Sequence, residues 1–406
     1  MSGYGKHSQD IARSLIKLDK FDVKILPIRW GSTPLNGLIK GQDDDIINRL
    51  LPNNQLPKKP EVTVQITIPP EFNPLGEYNI GITAGIETTV PNPIWVEGLN
   101  RMHLNIVPSK HSKDVFSHVE FTKNDEVTKQ PISKLKLEKP IEILFEGADS
   151  TKYFKVINGP LDESVDKELK NIPEDFCFLY VGHWLQGSLG NDRKDVGMLI
   201  KVFYETFKDK DVAPALILKT SSATFSVLDR NEIMQKVESI KNSITARKYP
   251  NVYVLHGQLT DQEMNSLYNH TKIKAMVSFT KGEGFGRPLL EFSMCGKPII
   301  ASGWSGHVDF LDKELSVLLP GEVKPVHESA INDFIIKDSM WFNVNYEVAS
   351  SVLKDVFSNY HKYLTGAKKQ MYINKEKYSL DMMQKQLGWI LERYVPEFPE
   401  EMELRL

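Results

Sequence analysis

Two glutamates flank a glycine loop in the segment KGEGFGRPLLEFSMCGKPIIASGWSGHVDF. Glu283 precedes Gly284 and Gly286. Glu291 follows them, in a stretch that Pro288 is suited to begin as a helix. Unpaired backbone N–H groups at a helix start can hold a diphosphate without a metal ion, and the carboxylates could accept hydrogen bonds from sugar hydroxyls. The pattern suits a nucleotide sugar, with Glu291 on the ribose; a solvated loop acid and a helix N-terminal charge are the alternative.

Basic side chains occur where two other loops would reach the same ligand. Arg193 and Lys194 precede an apolar helical segment, and two cations at a helix start oppose the helix dipole unless an anion is bound there. Lys219 ends an apolar strand, and loops at the carboxyl ends of strands line the cleft of an α/β domain. We expect all three side chains to face phosphate groups; plain exposure to solvent is the alternative.

An acidic residue in the first half of the chain is a second candidate for chemistry. Glu87 follows a strand and two small residues, which places it towards a cleft. A carboxylate there could contact a bound ligand, and a salt-bridged loop acid is the alternative. The run Asp43, Asp44 and Asp45 is interpreted as a solvated turn before a helix rather than as a metal site.

The elements that must position these side chains alternate between strands and helices, which predicts an α/β protein with parallel sheets. In the first half, a helix is predicted near Ser8 to Leu18, followed by the apolar runs DVKILPI, VTVQITI, YNIGITA and HLNIVPS. In the second half, the predicted buried strands are FCFLYVGHW, APALILKTS, NVYVLHG, IKAMVSF and KPIIASG. Helices are predicted between them, around Met198 to Phe207, Arg230 to Ala246 and Asp261 to Tyr268.

Length and composition fit a globular protein of two domains. The chain has 406 residues, of which 41% are hydrophobic and 25% charged. Its formal charge of −3 gives no indication of a nucleic-acid partner. No apolar run is long enough for a membrane span, and the N-terminus lacks an apolar secretion signal. Cys177 and Cys295 are interpreted as reduced core thiols, and the protein as cytoplasmic.

The glycine loop segment resembles the donor site of GT-B-fold retaining glycosyltransferases, the glycosyl transferases group 1, whose signature is two glutamates separated by seven residues around GFG. CGKPIIAS and SGHVDF match together with it, and VGHWLQGSLGNDRKDVGMLIKVFYETF resembles the start of the family's donor domain. His183 and Trp184 stand where relatives often carry an arginine. The resemblance implies catalytic roles for Glu283 and Glu87, with Glu87 positioning hydroxyls of the acceptor or the donor. It implies donor-binding roles for Arg193, Lys194, Lys219, Gly284, Phe285, Gly286 and Glu291.

The resemblance also implies a GT-B architecture, in which two Rossmann-like domains face each other across a cleft. Residues 1–147 would form the acceptor side and residues 148–378 the donor side, with a helix at about 379–395 packing back on the first domain. By the same resemblance, Ser2 to Gly5 stand at the place of the family's first glycine loop, so we expect the family's first strand to be absent: either the sequence begins downstream of the natural start, or another segment fills the centre of the sheet. Lys6 and His7 follow as further candidates near the donor phosphates.

The reaction implied by the resemblance is transfer of a hexosyl or pentosyl group from a nucleoside diphosphate sugar to an acceptor hydroxyl, with retention at the anomeric carbon. No metal and no cofactor beyond the donor co-substrate are expected. The acceptor stays open: a glycan, a lipid, a small molecule or a modified nucleic-acid base. Two other functions also stay open, namely a nucleotide-sugar epimerase or hydrolase of the same fold and a nucleotide-sugar-binding protein without turnover.

Overall fold

The structure, a computed structural model, describes residues 3–28, 37–52, 56, 58–125, 128, 130–184, 186–222 and 225–399. Two parallel sheets with surrounding helices make up most of it. The strands are β1 Val62–Ile66, β2 Tyr78–Ile82, β3 Leu104–Val107, β4 Glu120–Asn124, β5 Pro131–Lys136, β6 Ile141–Ile143, β7 Cys177–Val181, β8 Ala215–Lys219, β9 Val252–Leu255, β10 Ile273–Ser278, β11 Ile299–Ser302, β12 Val317–Leu319, β13 Gly321–Pro325 and β14 Met340–Val344. The helices are α1 Gly3–Leu18, α2 Asp44–Ile47, α3 Pro93–Asn100, α4 Lys110–His118, α5 Glu163–Lys170, α6 Val196–Phe207, α7 Val227–Asn242, α8 Asp261–Asn269, α9 Arg287–Ser293, α10 Tyr346–Ser358, α11 Tyr360–Lys377 and α12 Leu380–Tyr394.

The first sheet has the strand order β1-β2-β3-β6, and every neighbouring pair is parallel. Strand β3, with the sequence LNIV, is buried along its whole length. Parallel strands covered on both faces are mostly apolar, and the one polar residue of β3, Asn105, donates to the carbonyl of Leu99 at 3.0 Å. The loop after β2 carries Glu87 at the carboxyl edge of this sheet.

The second sheet has the order β12-β11-β10-β7-β8-β9, and it too is parallel throughout. From β7 the chain proceeds outwards through β8 and β9, and from β10 it proceeds outwards in the other direction. The strand order therefore reverses between β7 and β10, which is where ligands bind in open α/β sheets. The loop after β7 carries Arg193 and Lys194, and the loop after β10 carries Glu283.

The chain passes between the two sheets at two places that are hydrogen-bonded neighbours. The N–H of Ala148 donates to the carbonyl of Tyr378 at 3.0 Å, and the N–H of Leu380 donates to the carbonyl of Ala148 at 2.8 Å. Gly147 has no side chain here because a Cβ would lie 2.7 Å from the Cα of Leu380. The two crossings therefore form one narrow junction.

Helix α12 packs against the first sheet's side of the molecule. Gly388 lies close to Leu18 of α1, since a Cβ on it would be 3.1 Å from the Leu18 side chain. The Gln386 amide donates to the carbonyl of Ile143 at 2.6 Å, and the Tyr394 hydroxyl bonds Glu142 at 2.6 Å. The C-terminal helix thus contacts α1 and the last strand of the first sheet.

Two expectations about the N-terminal region are wrong. Gly3, Tyr4 and Gly5 belong to helix α1 rather than to a glycine loop, while Ser2 lies outside the described residues. DVKILPI is not a strand: only Ile25 pairs, in an isolated bridge to Leu50. The other runs named above as strands each contain one, and both cysteines are free and buried as expected.

Within the described part of the chain, no helix has the length and apolar character needed to cross a membrane.

Candidate active site

The glycine loop joins β10 to α9 at the point where the strand order of the second sheet reverses. Gly286 precedes the helix with φ of +96°, and a Cβ there would lie 2.9 Å from the Cβ of His307. Only glycine fits this backbone without strain. Arg287 is the first helical residue and Pro288 the second, so the expectation that Pro288 begins the helix is off by one position. A proline in this first turn sacrifices no helical hydrogen bond.

Gly282 and Gly284 lie where the glycine loop packs against the loop after β2 of the first sheet. A Cβ on Gly282 would overlap the carbonyl oxygen of Glu87, and one on Gly284 would overlap the carbonyl oxygen of Ala84. The loop after β2 therefore lies directly against the glycine loop. The missing side chain at Gly284, expected from the sequence to allow approach of a ligand, is required by this packing.

Four of the candidate side chains form one cluster at this contact. The Lys194 ammonium pairs with Oε1 of Glu283, and Nη1 of Arg193 lies 3.4 Å from Oε2 of the same carboxylate. The same guanidinium nitrogen lies 3.4 Å from Oε1 of Glu87 and donates to the carbonyl of Gly282 at 2.8 Å. Arg193 thus bridges the two candidate catalytic glutamates, which come from different sheets. We refer to Glu87, Arg193, Lys194 and Glu283 as the first cluster.

Burial and pairing set the charges in the first cluster. Burial alone would disfavour the ionised form of Glu283, but Lys194 and Arg193 outweigh it and lower the pKa of the carboxyl to about 2. Burial lowers the pKa of the Lys194 ammonium despite its pairing with Glu283. For Arg193 the opposite holds, because Glu87 and Glu283 outweigh burial and raise its pKa. Glu283 is therefore a carboxylate at neutral pH, held by two cations that could also bind phosphate oxygens.

A buried ion pair supports the loop that carries Arg193 and Lys194. The N–H of Lys281 donates to the carbonyl of Arg193 at 2.7 Å, and its ammonium lies 3.3 Å from Oδ2 of Asp195. Asp195 precedes α6 with φ of +53° and accepts a hydrogen bond from the Tyr346 hydroxyl at 2.6 Å. Burial raises the pKa of Asp195 to about 6, against the effect of Lys281. Lys281 therefore ties the cationic loop to the start of the glycine loop.

A second cluster surrounds Glu291. Oε1 of Glu291 lies 3.0 Å from Nε of Arg287, one helical turn earlier, and 3.8 Å from the ammonium of Lys6. Nη1 of Arg287 also lies 2.7 Å from Oδ2 of Asp10. Lys6 pairs in addition with Asp261, the first residue of α8. Residues of α1 therefore lie next to the glutamate predicted to bind the ribose, and we refer to Lys6, Asp10, Arg287 and Glu291 as the second cluster.

Two buried titratable groups lie beside the second cluster. Burial raises the pKa of Glu146 to about 7; Arg287 lowers it, and Asp10, Glu291 and Glu283 raise it further. Burial and the charge of Arg287 lower the pKa of His7 to about 3, so its imidazole is neutral. Glu146 immediately precedes the junction between the sheets, which places a carboxyl group that titrates near neutrality within the electrostatic reach of both clusters.

The remaining candidates lie apart from the clusters. The Lys219 ammonium donates to the carbonyl of Gly257 at 2.6 Å at the end of the neighbouring strand, and burial lowers its pKa. The Phe285 side chain is buried against Phe310, with ring centroids 5.0 Å apart, so its backbone is the part that could meet a ligand.

Two residues of the acidic run at the start of α2 form ion pairs with α1. Asp43 and Asp45 pair with Arg13, and Asp44 begins the helix. Across the described residues, no group of three or more histidine, cysteine, aspartate or glutamate side chains is arranged to hold a metal ion.

Sequence reasoning missed several residues of the site. Arg287 stands four residues before Glu291, the spacing at which side chains on one helix face meet, so the sequence carried a signal for this pair. Asp10 and Glu146 carried none, because their partners are distant in the chain. Lys281 could have been noticed as the only charged residue between an apolar strand and the glycine of GEGFG.

Two parallel α/β sheets that meet at a cleft, with the chain crossing twice at one junction, define the GT-B fold. HepE from Anabaena, in complex with UDP-glucose, is similar over 78% of this chain and 72% of its own, at 14% identity and a TM-score of 0.51. Sucrose-phosphate synthase from Thermosynechococcus elongatus is similar over 82% and 73%, at 13% identity and a TM-score of 0.55. A protein from E. coli bound with UDP-2-fluoro glucose is similar over 79% and 68%, at 12% identity and a TM-score of 0.51. Likeness at this level of identity establishes the fold alone.

Residues 196–324 match the family described as Glycosyl transferases group 1. The matched stretch runs from the start of α6, through the glycine loop and α9, into β13. It includes Glu283 and Glu291, so the resemblance predicted from the sequence around GFG is confirmed. Among curated proteins, none matches the chain by sequence.

Proposed function

We propose that the protein is a retaining glycosyltransferase that moves a hexosyl or pentosyl group from a nucleoside diphosphate sugar to an acceptor hydroxyl, without a metal ion. One observation carries the proposal: the carboxylate of Glu283 is held by Arg193 and Lys194 beside a glycine loop that runs into a helix. The family match over residues 196–324 supports glycosyl transfer from a nucleotide sugar. The UDP-glucose bound to HepE is a donor of this chemical class.

In the proposed reaction, the diphosphate of the donor binds between the cationic loop and the start of α9. Its oxygens would share Arg193 and Lys194 with Glu283, because both cations lie against that carboxylate and are largely shielded from solvent. Pairing with phosphate then frees oxygens of Glu283 to accept hydrogen bonds from hydroxyls of the sugar. Fixed cations and N–H groups stabilise the charge that develops on the departing diphosphate, usually the largest contribution to such a reaction.

The other candidate residues take supporting roles in the proposed reaction. Glu291 binds the ribose diol, and Lys219 lies at the next strand end, where it can meet an outer part of the nucleotide. Glu87 reaches Arg193 from the opposite side of the cleft, so it is placed to orient a hydroxyl of donor or acceptor. The acceptor hydroxyl attacks the anomeric carbon from the face that the diphosphate leaves, which retains the configuration.

The domain limits follow the same proposal. We place the acceptor side at residues 1–147 and the donor side at residues 148–378, with α12 returning to the first domain. The paired crossings at Ala148 and Ser379 support this division, because they are the two places at which the chain passes between the sheets. Closure of the cleft would exclude water and limit hydrolysis of the donor.

Thermal unfolding with added nucleotides tests the proposal first. UDP, GDP, ADP, CDP and TDP are each added to the full-length chain with a chelator present. A ligand at a hundred times its Kd stabilises the native state by about 2.7 kcal/mol, so one nucleotide should raise the unfolding temperature clearly. Glu291→Ala should lose most of this rise, whereas Glu322→Gln, a change in an exposed ion pair on β13, should keep it.

Product analysis then separates transfer from its alternatives. The nucleotide sugar chosen by the binding experiment is incubated with and without candidate acceptor hydroxyls. A glycosylated product with unchanged anomeric configuration supports the proposal. Release of free sugar or an epimerised donor at full rate without acceptor would contradict it, and so would the lack of a shift with every nucleotide.

A further inference from the structure

Arg287 holds two carboxylates that come from different parts of the chain. Its Nε lies 3.0 Å from Glu291 on its own helix, and its Nη1 lies 2.7 Å from Asp10 on α1. All three side chains are nearly buried, with exposed fractions of 10%, 8% and 11% for Arg287, Glu291 and Asp10. Ion pairs removed from water in this way are weakly screened, so the loss of one partner changes the geometry of the others.

The geometry at Glu291 leaves the carboxylate held at one oxygen. Arg287 and Lys6 both lie nearest to Oε1 of Glu291, at 3.0 and 3.8 Å. Arg287 donates to Glu291 through Nε and lies against Asp10 with Nη1, which is on the other side of the guanidinium, so the two carboxylates together fix the orientation of its plane.

We propose that Arg287 is a positioning residue, and that Asp10 acts through it to hold the carboxylate of Glu291 in place for a ribose diol. The inference rests on the proposed function, in which Glu291 binds the ribose. Asp10 belongs to α1 and so to the opposite side of the cleft, which makes donor affinity depend on contact between the two sides. A nucleotide then binds with full affinity only when α1 lies against α9.

The proposal predicts that the variant loses affinity for one ligand and keeps its affinity for another. A nucleoside diphosphate uses both the diphosphate site and Glu291, whereas inorganic pyrophosphate uses the diphosphate site alone. Asp10→Asn keeps the size of the side chain but removes its charge, so Arg287 loses the partner that fixes its plane and Glu291 is no longer held in one orientation. We expect the Kd of the best-bound nucleoside diphosphate to rise about tenfold, which corresponds to about 1.4 kcal/mol, and the Kd of pyrophosphate to stay unchanged.

The experiment is isothermal titration of full-length variants with that nucleoside diphosphate and with pyrophosphate. Asp43→Asn is the matched control, because it removes an ion pair with Arg13 of the same helix, away from Glu291. Arg287→Lys provides a second variant if Asp10→Asn does not fold. Lysine keeps the charge but cannot span both carboxylates, so the same selective loss is expected.

The affinities of the variants for the two ligands decide whether the inference holds. A selective loss of nucleoside diphosphate binding in Asp10→Asn or Arg287→Lys, with Asp43→Asn like the wild type, supports the inference. Equal loss of both ligands indicates a merely structural ion pair and overturns it, as does unchanged binding of both. A wild-type chain that binds none of the nucleoside diphosphates overturns the proposed function itself, and the inference falls with it.

Discussion

Replacing Glu146 by glutamine tests how the junction between the sheets responds to charge. Burial raises the pKa of this carboxyl from 4.5 to about 7, with Asp10, Glu291 and Glu283 adding to the shift and Arg287 opposing it. A shift of that size corresponds to about 3 kcal/mol between the native and unfolded states, at 1.36 kcal/mol per pKa unit. Glutamine has nearly the same shape and no charge, so it removes this contribution without creating a cavity.

The sign follows from proton binding. Between the unfolded pKa and the folded pKa, the native state binds more protons at Glu146 than the unfolded state does. The free energy of unfolding therefore falls as the pH rises from about 4.5 to 7, because the buried carboxyl must ionise. The Glu146→Gln variant should match the wild type near pH 4.5 and exceed it by up to about 3 kcal/mol at pH 8.

Urea unfolding of both proteins at intervals from pH 4.5 to 8 measures the difference. Subtracting the wild-type free energy of unfolding from that of the variant at each pH cancels the contributions of other groups that titrate in the same range. Asp195 is one of these, because burial raises its pKa to about 6. Glu142→Gln is the control. Tyr394 and Lys113 outweigh burial and lower the pKa of the Glu142 carboxyl. Removing this carboxylate should therefore destabilise the protein at high pH, the opposite of the effect expected for Glu146→Gln. A Glu146→Gln difference that is constant with pH, or that favours the wild type at pH 8, would refute the reasoning.

Three further substitutions probe the site. Glu283→Gln should lose a charge-assisted hydrogen bond to the transferred sugar, worth about 1.5 to 3 kcal/mol, and so reduce turnover by about tenfold or more in a donor-consumption assay, while nucleotide-induced stabilisation persists. Unchanged turnover would contradict its role. Gly284→Ala should destabilise the protein by about 1 to 3 kcal/mol in thermal unfolding, because its Cβ would overlap the loop after β2, whereas Gly3→Ala has open space and should be neutral or stabilising. Equal effects at the two glycines would count against the packing explanation. Lys281→Met should leave the buried carboxyl of Asp195 without its cation and cost about 3 to 5 kcal/mol by the same measurement; a loss below about 1 kcal/mol would show that the pair does not hold the loop.

Five of the six strands of the second sheet, β7 to β11, were predictable because they are continuous apolar runs, whereas β12, with three residues, was not predicted. Strand β8, ALILK, is buried at every position, and Lys219 at its end was recognised from the sequence as a strand-end residue. The glycine loop was equally clear, since glycine at Gly286 is required by a local backbone conformation. Local rules were sufficient where the cause of a structure lies within a few residues.

The N-terminal helix shows where local rules fail. Gly3 and Gly5 favour a loop by propensity, yet they lie in α1. Long-range contacts outweigh that preference: the hydroxyl of Tyr4 accepts from the N–H of Ala84 at 3.0 Å, and Lys6 pairs with Asp261. Neither partner is near in sequence, so the second cluster could not be assembled from the sequence alone.

The prediction of a strand at DVKILPI was wrong for a different reason. Its apolar residues suggest a strand, but Ile28 is 52% exposed and Pro27 has no N–H to donate to a ladder. A single bridge from Ile25 to Leu50 is the pairing that forms in this run. An apolar run predicts a strand only where the rest of the fold supplies a neighbour to pair with and a face to cover it.

The charges of the cleft lead to a last prediction, on proton uptake. Carboxylates outnumber cations in the two clusters and at Glu146, and a diphosphate would add further negative charge to the same space. Negative charge nearby raises the pKa of a carboxyl, so binding should favour the protonated form of Glu146 above its present pKa of about 7. Nucleoside diphosphate binding at pH 7.5 should therefore take up a fraction of a proton that Glu146→Gln does not. Calorimetric titration in two buffers of different ionisation enthalpy measures the number for each protein, and subtraction removes protons exchanged by the phosphates themselves. Equal proton numbers for the wild type and the variant would mean that Glu146 is electrostatically separate from the donor site, and its pKa would then reflect burial at the junction alone.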